Sequence, residues 1–374
     1  MKHHQNRGLA YSLRSSLFYS PIASVITLGL FLFVGAAGWY AWKWGVSDAI
    51  FRADFQACLK NHDGACWGFV AEKWRLIIFG RFPYDEQWRS AVGTSAVLLM
   101  LFVSAFPQTW TKTGIKILGA LWLAALAAFF IFMRGGIFGL SSIDPDYWGG
   151  LPLTIILTLF GMTASAPIGI LLAIGRTSKL TAIRNICIGY IELVRGVPLI
   201  TVLFVASFIF PLILPPGWRI DAFWRIVIGI VLFQAAYMAE TVRGGLQTIP
   251  KGQFEAAAAL GLNKFQTYVS AILPQALAAI IPAFVNNLLS TFMDTSLVTI
   301  VSMYDLTGSL RLALGDPNWR NFFLEGYLFI AIIYFVFSFI MSRYSVWLEQ
   351  RILKKKQMAA QEGQKNDDAD RVGT

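Results

Sequence analysis

Residues 151–174 read LPLTIILTLFGMTASAPIGILLAI, an unbroken run without a single charged side chain. At about 1.5 Å of helix rise per residue, such a run spans roughly 36 Å, enough to cross the roughly 30 Å hydrocarbon core of a bilayer. Working outward from it, seven further candidate spans fall near 21–42, 90–107, 114–133, 187–214, 223–243, 272–292 and 322–342. The sequence therefore predicts an all-α polytopic membrane protein with eight transmembrane helices. Pro107 is expected to end the second span, because an interior proline removes a backbone donor and clashes with the preceding turn. The apolar run 294–304 is about half the needed length and reads as a broken or re-entrant helix after the seventh span.

Composition agrees. Of 374 residues, 56% are hydrophobic and 14% charged, where a soluble domain carries roughly 25% charged residues. That balance excludes a disordered chain, a disulfide scaffold and an ordinary cytosolic enzyme. The net charge of +10 does not indicate nucleic acid, because the basic residues sit in short loops and tails, where they act as topology signals. The first span follows Lys2, Arg7 and Arg14. It is followed by Trp39, Tyr40, Trp42 and Trp44 instead of a small-residue cleavage site, so it reads as an uncleaved span with an interfacial aromatic belt.

With the N-terminus placed inside, the inside segments collect Lys112 and Lys116; Arg176, Lys179 and Arg184; Arg243, Lys251 and Lys264; and Arg343, Arg351 and Lys354 to Lys356. Both termini are thus expected in the cytoplasm. Residues 43–89 form a large outside loop. There Cys58 and Cys66 can close a short disulfide in an oxidising compartment or remain two thiols. Trp67, Val70, Trp74, Ile77 and Ile78 share one helical face, which suits either an interfacial helix or one packed into protein. The tail 346–374, Lys- and Gln-rich from Lys354 on, has little to bury and is expected to be disordered.

Sequence signatures of catalysis are absent. There is no G-x-x-x-x-G-K-[ST] nucleotide loop, no G-x-S-x-G elbow and no H-E-x-x-H. His3, His4 and His62 have no metal-ligand spacing. No catalytic residue, metal site or bound cofactor is expected in this chain, and transport is the reading left.

The stretch 243–268 reads RGGLQTIPKGQFEAAAALGLNKFQTY. Pro250 and Gly252 break the chain, Gln253–Leu260 suits a short helix, Gly261 suits a left-handed C-cap and Asn263 can start a second helix. On an inside loop, this short Ala-rich helix fits a partner's groove as well as it fits a plain connector.

Glu255-Ala256-Ala257, Gly261 and Leu273-Pro274 resemble the EAA signature of bacterial ABC importer permeases. Further blocks are similar to polar amino-acid permeases: Ile191-Glu192 with Arg195-Gly196 and Pro198-Leu199, Ala236-Tyr237 with Ala239-Glu240 and Arg243-Gly244-Gly245, then Asn286 and Thr295-Ser296-Leu297. The resemblance covers about 151–342. The N-terminal extension, with Cys66-Trp67, Phe79-Gly80-Arg81-Phe82 and Trp88-Arg89, looks like the M-type long permease of general L-amino-acid importers. Two positions depart from the family pattern: Ala271 where Ile is common, and Met293 where Lys usually precedes the Thr-Ser-Leu.

The resemblance implies a three-helix extension over 1–150, a type I importer core of five helices over 151–345, and a coupling loop at 250–274. Glu255, Ala256, Ala257 and Gly261 would meet two separate ATPase subunits, which carry ATP and Mg2+. A Q-type second permease and a periplasmic amino-acid-binding protein would complete an inner-membrane importer. Among the spans, Glu192 with Arg195 and Glu240 with Arg243 have the spacing of helical ion pairs. Asn286, Asp294, Thr295, Ser296 and Glu240 are candidates for the path of an amino-acid substrate, because ionisable and amide groups are costly inside a bilayer. A permease for an opine or polyamine, and a stand-alone secondary transporter, are the alternative readings.

Overall fold

Helix boundaries follow from local chemistry. In the computed structural model, which describes residues 17–61 and 63–372, Ser20 caps the first helix by accepting from the Ala23 backbone N–H at 3.1 Å, and Pro21 opens it. The chain-leading charges Lys2, Arg7 and Arg14, and His3, His4 and His62, lie outside the described residues. Two compact units form, Met1–Lys73 with Pro317–Gly326, and Trp74–Asp316 with Tyr327–Thr374.

In the first unit, α1 (Pro21–Trp42) continues as a π-turn over Lys43–Ser47, and none of its residues is buried. Cys58 and Cys66 are joined by a disulfide across a Cα separation of 5.5 Å. Both are buried, and Trp319 packs nearby against Phe55 and Phe69 with ring centroids 5.7 and 6.1 Å away. The Glu325 carboxylate accepts from the Cys66 backbone N–H at 2.7 Å, and Trp67 Nε1 donates to the Gly45 carbonyl at 2.7 Å. Helix α2 (Gly68–Phe79) begins in this unit, where Phe69 is fully buried, and ends in the second, where Ile77 is. Of the face that suited either an interfacial or a packed helix, Ile77 is buried, Trp67, Val70 and Ile78 are half-buried, and Trp74 is 46% exposed.

The second unit opens with an antiparallel hairpin, α3 (Gln87–Ser104) and α4 (Lys112–Arg134). Helix α3 ends three residues before Pro107, as the proline requires. Gly93 lets the Phe129 backbone approach, since a Cβ there would sit 3.2 Å from the Phe129 Cα. Arg89 is fully buried and ties the hairpin's end, donating to the Phe132 carbonyl at 2.8 Å and the Ser141 carbonyl at 3.1 Å. Helix α5 (Gly150–Arg176) packs along α8 (Ala222–Gln247). Leu153, Ile156, Leu157, Phe223, Ile226 and Ile230 form the shared core. Gly161 and Gly169 face Ile230 and Met238 so closely that a Cβ would clash, so the two helices touch nearly backbone to side chain. Phe130, Trp148, Phe223 and Trp224 join this core to α4 through ring contacts of 5.0–6.3 Å.

The expected fifth span is not one straight helix. It divides into α6 (Thr181–Arg195) and α7 (Leu199–Phe204), the latter extended to Ile213 through a π-turn at Val205–Ile209, with a bend of 104° between the halves. Pro198 restricts Val197 to extended backbone, and the intervening Gly196 offers no resistance, so hydropathy alone hides the break. After α9 (Lys251–Ala259), α10 (Leu273–Asp294) continues without a break into a 3-10 stretch, Thr295–Val301. The expected re-entrant piece is this tightened end, and it stops at Ser302, which is left-handed with φ of 66°. Tyr304–Asp305 then pair with Gly149–Gly150 as a short parallel bridge ahead of α11 (Leu306–Ala313). Helix α12 (Phe323–Val372) runs past the expected end of the last span, so the 346–374 tail is helical to Val372 rather than disordered. Its Lys, Gln, Glu and Ala residues have high helix propensity, which carries the preceding turns onward.

Among the described residues, six helices are long and apolar enough to cross a membrane, and the bent α6–α7 pair makes seven. Helix α3 is the eighth of the expected set. It is 18 residues long, but opens on the buried polar side chains Gln87 and Arg89.

Candidate functional site

Where α5, α6 and α8 meet, three guanidinium groups converge on one carboxylate. Arg243 donates through Nε to Glu240 Oε1 at 2.9 Å and through a second nitrogen to the same oxygen. Arg176 and Arg195 approach Glu240 Oε2 at 3.4 and 3.6 Å. Arg176 also lies 3.3 Å from Glu192. The expected Glu240–Arg243 pair is present. The expected Glu192–Arg195 pair is not among the ion pairs of the described residues, because Arg195 turns to Glu240 and Arg176 takes Glu192. The sequence reading assigned Arg176 only a topological role. Its position in the last turn of α5, matched by Arg195 in the last turn of α6, puts cations at helix C-termini where the dipole favours them. Three Arg against two Glu leave the cluster one positive charge in excess.

Beyond Gln247 the chain leaves the bundle. Helix α9 is closed by a paired C-terminal motif: Gly261 N–H donates to the Ala258 carbonyl at 2.9 Å, and Leu262 N–H to the Ala257 carbonyl at 3.1 Å. That motif needs a left-handed residue, and Gly261 has φ of 73°. Asn263 starts the next turn with a reciprocal cap: its side chain accepts from Gln266 N at 2.9 Å, and Gln266 Oε1 accepts from Asn263 N at 3.0 Å. Phe254 packs on Tyr268 with centroids 6.2 Å apart. Within the expected quartet only Ala257 is buried; Glu255, Ala256 and Gly261 are exposed. Leu260 and Phe265 flank the turn and are 80% and 75% exposed. Two large apolar side chains thus stand on a rigidly capped, solvent-facing corner.

The expected substrate-path residues on α10 do not gather around Glu240. Asn286 is exposed, while Thr295 is buried and donates to the Phe292 carbonyl at 2.9 Å. Asp294 and Ser296 are half-buried. Neither they nor Asn286 hydrogen-bond another side chain among the described residues. A side-chain hydrogen bond between α8 and α10 is made one position along each helix, where Asn287 Nδ2 donates to Thr241 Oγ1 at 3.0 Å. Asp294 lies two turns further along α10, about 10 Å by helix rise. Asn286 and the half-exposed Met293 fall on one unpartnered face, together with Ser290.

At the far end of α8 a buried carboxylate braces the fold. Asp305 Oδ1 accepts from Gly308 N at 2.8 Å and from Thr299 Oγ1 at 3.1 Å, and Oδ2 accepts from Tyr334 at 3.0 Å. Burial pushes the Asp305 carboxyl above the usual range, and these donors pull against that shift. Asp305 is at the same time the N-cap of α11, and its burial is set by packing. Among the described residues no cluster of His, Cys, Asp and Glu could hold a metal ion.

Residues 165–354 match the family model described as binding-protein-dependent transport system inner membrane component. A relative from Escherichia coli (strain K12), the inner membrane amino-acid ABC transporter permease protein YhdY, is 40% identical over 93% of this chain and 94% of its own length. The glutamate/glutamine/aspartate/asparagine transport system permease protein BztC of Rhodobacter capsulatus is 33% identical over 91% of this chain and 93% of its own. Among solved structures, an amino acid ABC transporter crystallised with histidines is 30% identical, covers 54% of this chain and 92% of that chain, and has a TM-score of 0.49.

Proposed function

The chain belongs to the family of binding-protein-dependent transport system inner membrane components, and from that premise we propose that it is the membrane permease subunit through which an ABC importer passes L-amino acids. The observation that carries the mechanism is the capped, exposed corner at 251–266, with Leu260 and Phe265 unburied.

In this reading α9 docks in a groove on a separate ATPase subunit, where ATP and Mg2+ are bound. Ala256 allows close approach, the buried Ala257 packs the helix onto this subunit, Glu255 offers a charge at the contact, and Gly261 fixes the turn. ATP binding draws two ATPase subunits together, and the capped corner passes that displacement to α8 and α10, which it joins directly. The Arg176–Arg195–Arg243–Glu240 cluster ties α5, α6 and α8 near that end, so the helices move as a body. A Q-type second permease covers the face of α10 that carries Asn286, Ser290 and Met293. Asn286, Asp294 and Ser296 then border the route of the substrate between the two subunits, whereas the buried Thr295 and the ion-paired Glu240 support it from within this subunit. The corner and both termini face the cytoplasm, consistent with Lys251, Lys264 and Arg351 on that side. The 43–89 loop lies outside, where its disulfide is stable. A binding protein delivers the amino acid, and the pathway alternates between outward-open and inward-open states.

The test is purification of the tagged chain from its native membrane, identification of what remains bound, and uptake of L-glutamine by the reconstituted assembly. An ATPase and a second permease should co-purify, and uptake should need both ATP and the binding protein. A chain that purifies alone and moves L-glutamine without ATP would overturn the reading.

A further inference from the structure

At the end of α8 opposite the coupling corner there is an open cavity of about 630 Å3, lined by Arg81, Asp144, Asp146, Ser207, Arg225 and Ser302 among others. Helix α8 is 26 residues long, so about 39 Å of helix separates this cavity from the corner at 251–266. The volume is in the range of small-molecule sites, roughly 300–1,000 Å3.

Its polar groups are built in but incompletely used. Arg225 stands in the first turn of α8 and donates to the Ser207 carbonyl, whose helical donor position four residues on is Pro211 and carries no N–H. The Arg225 Nε and the Ser207 hydroxyl are buried without a hydrogen-bond partner, and Ser207 as a whole is only 5% exposed. Buried polar atoms without partners are uncommon and invite explanation. Arg81 is held by its bond to the Asp146 carbonyl at 2.6 Å and by the Tyr304 ring, 4.7 Å from its guanidinium carbon. One Asp144 oxygen accepts from Asp146 N at 2.9 Å. The Asp146 carboxylate has no side-chain or backbone donor among the described residues. Arg81 and Arg225 form no ion pair with Asp144 or Asp146 there either.

Two guanidinium groups and two carboxylates therefore line one open cavity without neutralising one another. A bare anion or cation would meet like charge on one wall. A molecule with a carboxylate at one end and an ammonium at the other satisfies both. We propose that this cavity is an outer binding site for a free α-amino-acid zwitterion, with Arg225 and the Ser207 hydroxyl taking the α-carboxylate and Asp146 the α-ammonium. The inference rests on the reading of the chain as an amino-acid permease and adds a site distinct from the α10 path. Arg81 belongs to the N-terminal extension, so the site joins that extension to the core chemically as well as by packing.

The test uses the full chain in its assembled complex with Tyr147, an exposed residue of the cavity wall, replaced by cysteine. Modification of Tyr147→Cys by a membrane-impermeant thiol reagent is timed with and without saturating L-glutamine, against the chain without the substitution to correct for Cys187. ATP-driven L-glutamine uptake is measured on the same preparation. The proposal predicts about fivefold slower modification with L-glutamine. Glutaramate, which is glutamine without its α-ammonium, should give no slowing, and Asp146→Asn should abolish it. Unchanged modification with intact uptake would overturn the outer site and leave the permease reading standing. Equal slowing by glutaramate, or slowing retained in Asp146→Asn, would overturn the zwitterion assignment. Slowing by the binding protein alone would give the cavity to protein docking. Slowing by L-glutamine without any ATP-driven uptake would support the site and remove the permease reading.

Discussion

The Arg176 guanidinium lies 3.4 Å from the Glu240 carboxylate, although the two residues are 64 positions apart in the chain. With Arg195 and Arg243 on the same carboxylate, Glu240 is the counter-charge of a three-helix junction. Glu240→Gln leaves three guanidinium groups facing one another across a partly solvated gap. We expect a loss of about 1–2 kcal/mol, between the values for exposed and buried pairs. Arg176→Ala should cost less, because two cations remain. Thermal unfolding of the two variants in detergent checks the order; a milder effect for Glu240→Gln would refute the junction.

The disulfide predicts a second outcome. Cys58 and Cys66 close a short loop, with a sequence separation of 8. In the chain-entropy account a loop of that size contributes about 2–3 kcal/mol. Replacing both cysteines with serine should loosen the packing of Trp319 on Phe55 and Phe69 and make residues 48–68 sensitive to protease. Equal protease resistance would show that the bond adds nothing to this unit.

Asp305 gives a pH-dependent prediction. Its folded carboxyl titrates above the unfolded value, about 3.9. The folded state thus binds the proton more tightly, so this contribution to stability is complete below that value and is lost as pH rises through the folded pKa. Asp305→Asn removes the titration. The unfolding temperature of the natural chain relative to the variant should fall as pH rises from about 4 towards neutrality. A difference that is flat or rises with pH would contradict the burial argument.

Asn286 separates stability from transport. It is exposed and has no side-chain partner among the described residues, unlike Asn287, which bonds Thr241. Asn286→Ala should change stability by less than about 0.5 kcal/mol and still lower uptake severalfold. Asn287→Ala should lose about 0.6–2 kcal/mol of stability, as interhelical bonds in membranes do. If Asn286→Ala leaves uptake unchanged, it does not border the path.

Much of this was legible because it is local. Gly261 followed from the need for a left-handed residue after an Ala-rich helix, Asn263 from its capping chemistry, and Glu240–Arg243 from helical spacing. What escaped the sequence depends on tertiary placement. Arg195 is spaced to meet Glu192 but meets Glu240, because α8 brings a carboxylate that already holds a second cation. Pro198 carried the signal for the 104° bend, but the surrounding apolar run outweighed it. The tail helix to Val372 followed propensity where the absence of burial had suggested disorder. Ser207 also escaped, because its place in the cavity wall is set by how the segment after α7 packs on α8.

The central claim, that the corner at 251–266 transmits ATP-driven motion, is tested most directly at Gly261. A Cβ there meets open space, so Gly261→Val strains only the backbone φ of 73°, whereas Gly261→Asn tolerates it. The measurement is ATP-driven L-glutamine uptake by the reconstituted complex, with ATPase retention followed in parallel. The account predicts that Gly261→Val abolishes uptake and weakens ATPase retention, and that Gly261→Asn restores much of both. Full uptake by Gly261→Val with the ATPase firmly bound would contradict it.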